Sequence, residues 1–151
     1  MKPLALITGV GPGTGASVAR RFAAAGYRTA LLARNENRLN ELASELPDSN
    51  AFVCDVTDSE ALAQVVEAAG PVDVVVHNAV GGGWGTFSEI EPEMLENNFQ
   101  VNVMALLHLA RLTTPSMVQA GKGALIVTGN TSALRGRAPF AGFAPTKAAQ
   151  R

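Results

Sequence analysis

The chain has 151 residues, a net charge of −1, 47% hydrophobic and 17% charged residues. That balance suits one globular α/β domain, residues 1–151, large enough to bury a core, and with no basic excess nucleic acid is not expected as a partner. A single cysteine, Cys54, precludes an internal disulfide and fits a reducing, cytoplasmic setting, while no apolar run approaches the roughly 18 residues of a membrane span.

Leu4 to Ile7 is an apolar run of strand length. A secretory leader is not expected there, because Gly9, Gly11, Pro12 and Gly13 break the run too early. Thr8 to Gly15 reads as a turn, and beyond it Val18, Ala19, Phe22, Ala23 and Ala25 recur at helical spacing up to a stop at Gly26. The order strand, glycine turn, helix presents main-chain amides and the positive end of a helix dipole, which together suit a phosphate. Glycine-rich turns of this kind also arise for steric reasons alone.

Tyr27 to Ala33 predicts a second strand with Arg34-Asn35 at its end. Asn35 is placed to cap a helix carrying Leu39, Leu42, Ala43 and Leu46, which Pro47 ends. Asn50 to Cys54 predicts a third strand finishing at Asp55, and Asp58 caps a helix with Leu62, Val65, Val66 and Ala69 on its apolar face. Gly70-Pro71 stops that helix, and Val72 to His77 predicts a fourth strand. Asn78 to Ser88, with four glycines and the only tryptophan, predicts an exposed loop. One long helix is expected from about Pro92 to Gln119, with Leu95, Phe99, Val103, Leu106, Leu107 and Ala110 on its core face. Ala124 to Thr128 predicts a fifth strand, and Pro139 to Arg151 opens a further helix.

Strands alternating with helices imply parallel pairing through right-handed crossovers, hence a doubly wound, Rossmann-type α/β sheet of about five strands with helices on both faces. Ligands of such sheets bind beyond the carboxyl ends of the strands. The polar residues fall at those ends: Thr8-Gly9, Arg34, Asp55, Asn78 and Thr128 to Ser132. An acidic residue after the second strand would hold the 2′-hydroxyl of NAD, whereas Arg34 suits a 2′-phosphate, so NADP(H) is favoured over NAD(H). By spacing alone Arg34 is equally a helix-flanking charge, and Asp55 is more readily a turn residue before Thr57-Asp58 than a ligand contact. His77 and His108 lack partners at metal-ligand spacing, so no metal site is expected. Trp84 either folds back on the surface or covers a substrate pocket.

The turn spells T-G-x-x-x-G-x-G from Thr8 to Gly15, and that variant resembles the short-chain dehydrogenase/reductase family. The resemblance extends over nearly the whole chain. It implies a cofactor cradle at Gly9, Pro12, Gly13, Thr14 and Gly15, and an adenine contact at Asp55-Val56. Asn78-Ala79 is similar to the family's N-A-G motif, with Val80 in place of its glycine. Asn102 matches the helix asparagine of the family's proton relay, and Lys147 matches the lysine of Y-x-x-x-K, which also holds the cofactor ribose. The fifth strand resembles the one that leads to the catalytic serine. Strand register puts Thr131 at that position, a count back from residue 143 permits Asn130 or Thr131, and Ser132 is the fallback.

Two departures stand out. Phe143 occupies the place of the family's acid/base tyrosine, and a phenyl ring has no proton to exchange. The only tyrosine, Tyr27, opens the second strand and cannot replace it. Family members also continue well past this length, with further strands and a substrate-binding segment. The resemblance implies an NADP(H)-dependent oxidoreductase acting on a small carbonyl or alcohol, with Thr131 polarising the carbonyl and water supplying the proton. A non-catalytic NADP(H)-binding sensor is the alternative, and a structural subunit that completes a partner chain is a third. The helix over 92–119 is the expected surface for a homo-oligomer.

Overall fold

The computed structural model describes residues 2–151. Five parallel strands form one sheet in the order β3-β2-β1-β4-β5: β1 Leu4–Thr8, β2 Arg28–Ala33, β3 Ser49–Val53, β4 Val74–His77 and β5 Ala124–Val127. Six helices surround it: α1 Thr14–Ala24, α2 Glu36–Glu45, α3 Ser59–Ala69, α4 Pro92–Phe99, α5 Ala105–Gln119 and α6 Ala144–Gln150. Among the described residues no helix is long and apolar enough to cross a membrane.

Alternation along β1 explains the layers. Leu4 and Leu6 point to one face with Leu32, Leu62, Val75 and Leu109, whereas Ala5 and Ile7 point to the other with Ala19, Leu31, Leu39 and Val76. Both sets are buried, so the central strands read as continuous apolar runs, the usual pattern of a parallel sheet covered on both sides. The caps read from sequence are formed. Asn35 Oδ1 accepts from the Arg38 amide at 3.0 Å, and Asp58 Oδ1 accepts from Glu60 and Ala61 at 3.1 and 3.0 Å.

The long helix over 92–119 is not continuous. A π-helical segment, Gln100–Met104, separates α4 from α5, and the wider turn shifts the buried face. The side chains turned inward are Asn98, Asn102, Ala105, Leu109, Thr113 and Met117, not the expected apolar set; Phe99 and Leu107 are exposed. Three polar residues on the inner face concealed it from a purely apolar pattern. Strand ends also moved by one or two residues: β3 begins at Ser49 and β4 at Val74.

The strand order reverses between β1 and β4, whose carboxyl ends lie side by side with Thr8 paired to His77. A crevice opens there, at the switch point of the sheet.

Candidate functional site

A cleft of about 910 Å³ runs along the carboxyl edge of the sheet, from Arg34 and Asp55 at one end to Asn130, Phe143 and Lys147 at the other. Its floor is the turn between β1 and α1. Gly9 has φ +67°, and a Cβ there would lie 2.4 Å from the Ala79 amide nitrogen. A Cβ on Gly15 would lie 2.4 Å from the Gly9 carbonyl oxygen, so both glycines let backbone meet backbone. Gly11 and Gly13 differ, because a Cβ on either would face open space. No side chain caps α1, and Gly13, Thr14 and Gly15 line the cleft at its N-terminus. An uncapped helix start with an open approach is what an anionic phosphate requires.

At the β2 end, Arg34 Nη1 lies 3.8 Å from Asp55 Oδ2, and the Arg34 side chain is largely exposed. Asp55 Oδ1 accepts from the Thr57 amide at 3.0 Å and the Thr57 hydroxyl at 2.8 Å. The Thr57 amide, above all, holds the Asp55 carboxyl below its ordinary value, with Arg34 contributing. Val56 and Arg38 line the same end, the latter in the first turn of α2.

At the centre, Asn78 Nδ2 donates to the Gly9 carbonyl at 2.8 Å and so fixes the glycine turn against β4. The Ala79 amide donates to Thr8 Oγ1 at 3.2 Å, and Thr8 Oγ1 meets His77 Nδ1 at 3.0 Å. Asn102 is buried and spans two segments. Its Oδ1 accepts from the Gly81 amide at 3.0 Å, while its Nδ2 donates to Gly81 O at 2.8 Å and Thr146 Oγ1 at 2.9 Å. The side chain of Asn102 therefore ties the β4 loop to α6 rather than pointing into the cleft.

At the far end, Lys147 Nζ donates to Thr128 O at 2.8 Å and to Gln150 Oε1 at 2.6 Å. Burial pushes the Lys147 ammonium below its ordinary pKa. The Phe143 ring lines the cleft with its centroid 5.9 Å from that nitrogen. Of the three candidates for the serine position, Asn130 lines the cleft, and its Oδ1 accepts from the Ser132 amide at 2.8 Å to cap a 3-10 turn, Thr131–Ala133. Thr131 sits on that turn, exposed and outside the lining, and Ser132 is buried beneath it. Trp84 is exposed on the surface and packs against Phe140, ring centroids 4.6 Å apart and planes tilted by 51°. Among the described residues no cluster of His, Cys, Asp and Glu has the makings of a metal site.

The cleft thus gathers Gly9, Gly13, Thr14, Gly15, Arg34, Asp55, Val56, Asn78, Ala79 and Lys147 into one wall, with Pro12 at the tip of its turn. One lining residue, Arg38, and one partner of Lys147 behind the lining, Gln150, escaped the sequence reading. Arg38 lies in the first turn of α2, just past the Asn35 cap, and Gln150 follows Lys147 by three, a spacing that puts that pair on one face of α6.

The short chain dehydrogenase family profile matches residues 3–151. An L-xylulose reductase from Mesocricetus auratus is 31% identical over 146 residues, covering 96% of this chain and 60% of the relative. The L-sorbose reductase of Gluconobacter frateurii, solved with NADPH and L-sorbose, aligns with a TM-score of 0.93 at 32% identity, covering 99% of this chain and 60% of that one. A short-chain dehydrogenase/reductase from Burkholderia phymatum, solved with NAD, aligns with a TM-score of 0.92 at 25% identity, covering 98% of this chain and 56% of that one. The chain spans about 60% of the length of the curated relatives it matches. From the glycine turn to Lys147, the chain belongs to the short-chain dehydrogenase family.

Proposed function

We propose that the chain binds NADP(H) along this cleft and serves an oxidoreductase acting on a small carbonyl or alcohol. One observation carries the reading: Gly11 and Gly13 leave open space over the uncapped start of α1, in a cleft that continues to Lys147. The pyrophosphate would lie on the amides from Gly13 to Gly15. Asp55-Val56 would border the adenine, and Arg34, assisted by Arg38, would take the 2′-phosphate as a charge-assisted pair. Lys147 would hold the ribose next to the nicotinamide, and Asn130, or Thr131 after a shift of its turn, would donate to the substrate carbonyl.

Bound NADPH supplies a hydride to the carbonyl carbon. The carbonyl oxygen then needs a proton, and Phe143 has none to give. Water reaching the open cleft supplies it. The same observation favours a second reading, a non-catalytic module that reports NADP(H) levels.

Titration of the chain with NADPH and NADH, followed by nicotinamide fluorescence, tests both readings. NADPH binding that Gly13→Val abolishes is expected, and absence of binding by either nucleotide overturns both. With binding established, NADPH oxidation across a panel of small ketoses and ketones separates enzyme from sensor.

A further inference from the structure

We propose that Gln150 is a positioning residue that locks the Lys147 ammonium into the cleft by bridging it to the main-chain carbonyl of Asn102. Gln150 Oε1 accepts from Lys147 Nζ at 2.6 Å, and Gln150 Nε2 donates to Asn102 O at 2.8 Å. Lys147 is 4% exposed, and among the described residues no carboxylate pairs with it. Its remaining partner is another neutral oxygen, Thr128 O. A buried ammonium left with one hydrogen bond is costly, so the second oxygen matters.

The residue type fits the task. A primary amide offers an acceptor on one side and a donor on the other, as a cation and a carbonyl oxygen require. A glutamate would set an anion against the Asn102 carbonyl, and an aliphatic side chain would remove both contacts and leave the Lys147 ammonium with Thr128 O alone. Residues 147 and 150 lie on one face of α6, so the contact needs no rearrangement of the helix. The bridge also joins α6 to the π-helical segment, whose Asn102 already contacts Thr146. An amide nitrogen does not pass a proton on, so the bridge fixes the charge without relaying protons.

Lysine side-chain ammonium exchange, read by nitrogen-15 NMR, tests this. The chain has three lysines, and Lys2 and Lys122 are exposed on the surface. One slowly exchanging ammonium signal is expected, assigned by its loss in Lys147→Met. Gln150→Met keeps the length of the side chain and removes both hydrogen bonds, so exchange of that signal should quicken about tenfold or more. Gln150→Asn keeps the amide but falls short of both partners, and serves should the methionine variant not fold. Exchange unchanged in either folded variant overturns the proposal. The consequence for the cofactor rests on the reading above: Gln150→Met should weaken NADPH several-fold, and the Gln150→Met/Lys147→Met double variant should lose no more than Lys147→Met alone. Multiplicative losses would mean that Gln150 acts independently of Lys147. A chain that binds no NADPH would remove the cofactor reading, while the exchange measurement would still decide the bridge.

Discussion

Thr8 and His77, paired across β1 and β4, are linked by a 3.0 Å hydrogen bond between Thr8 Oγ1 and His77 Nδ1. The other ring nitrogen, Nε2, lies 3.0 Å from Val101 O. A carbonyl only accepts, so Nε2 carries the hydrogen and Nδ1 is the acceptor. Thr8 Oγ1 accepts from the Ala79 amide and donates its own hydrogen to His77. One neutral imidazole therefore ties two strands to the π-helical segment under the cleft.

That arrangement makes the protein sensitive to mild acid. Burial, the largest cause, pushes His77 down to about 4, and the Lys147 charge acts in the same direction. The unfolded chain takes up this proton near the ordinary value of about 6.5, so it gains protons before the folded state as pH falls. Stability is full above that value, declines through the window between the two, and levels off below about 4. The shift corresponds to a loss on the order of 3 kcal/mol. Urea unfolding between pH 7.5 and 4 should show this decline, and His77→Leu should flatten it while lowering stability at pH 7.5 by about 1–3 kcal/mol through the unpaired Thr8 and Val101 groups.

Glycine substitutions should divide into two kinds. Gly9→Ala meets a positive φ and backbone atoms at 2.4 Å, and Gly15→Ala meets the Gly9 carbonyl at the same distance. Each is expected to cost about 2 kcal/mol or more in folding, measured by urea midpoint. Gly13→Ala meets nothing within 4 Å, so its midpoint should stay within about 0.5 kcal/mol of the parent. Its effect is expected on the ligand: with the pyrophosphate on α1 as proposed, the added methyl would stand in its approach, and NADPH should bind at least several-fold more weakly. Equal folding losses in all three would mean that the turn is a packing device only.

The sheet and its switch point were legible in the sequence because the central strands are apolar runs punctuated by glycine, proline and capping residues. Asn35 and Asp58 marked helix starts correctly because their side chains had amides to cap. The inner face of α4 and α5 was not legible. Its buried positions include Asn98, Asn102 and Thr113, whose partners lie on other segments or on the helix's own carbonyls. The π-helical turn leaves no compositional mark. The glycine turn was readable as a strand-to-helix turn, but which of its glycines pack and which face open space depends on Ala79 and Asn78, about seventy residues away. Gln150 was missed for a similar reason: its partner Asn102 O is a main-chain atom, and no side-chain pattern points to it.

Arg34 should decide between the two nicotinamide nucleotides. It faces Asp55 at 3.8 Å in a loose, exposed pair, so a 2′-phosphate has only a weak competitor to displace. Arg34→Glu replaces an attractive charge with a repulsive one at the end of the cleft proposed to take the adenosine. NADPH affinity is expected to fall more than tenfold, about 1.4 kcal/mol, with NADH changed less than about threefold. Equal losses for both nucleotides would remove the 2′-phosphate assignment and leave Arg34 as a flanking charge of α2.

Phe143→Tyr should show what the phenyl ring withholds. The ring lies in the cleft wall, 5.9 Å by its centroid from the Lys147 ammonium, and a para hydroxyl adds one oxygen without changing the scaffold. A neighbouring ammonium favours the ionised phenol, so the new hydroxyl would titrate below its ordinary value and become a usable proton donor. A positioned general acid is worth about 10²–10⁴ in rate. The lower part of that range is expected here, because Lys147 is already committed to Thr128 and Gln150 and is less free to turn toward a phenol. NADPH oxidation with a ketose or ketone panel should therefore rise about a hundredfold, with a bell-shaped pH profile that the parent lacks. Tight NADPH binding with no gain in turnover would favour the sensor reading over the enzyme.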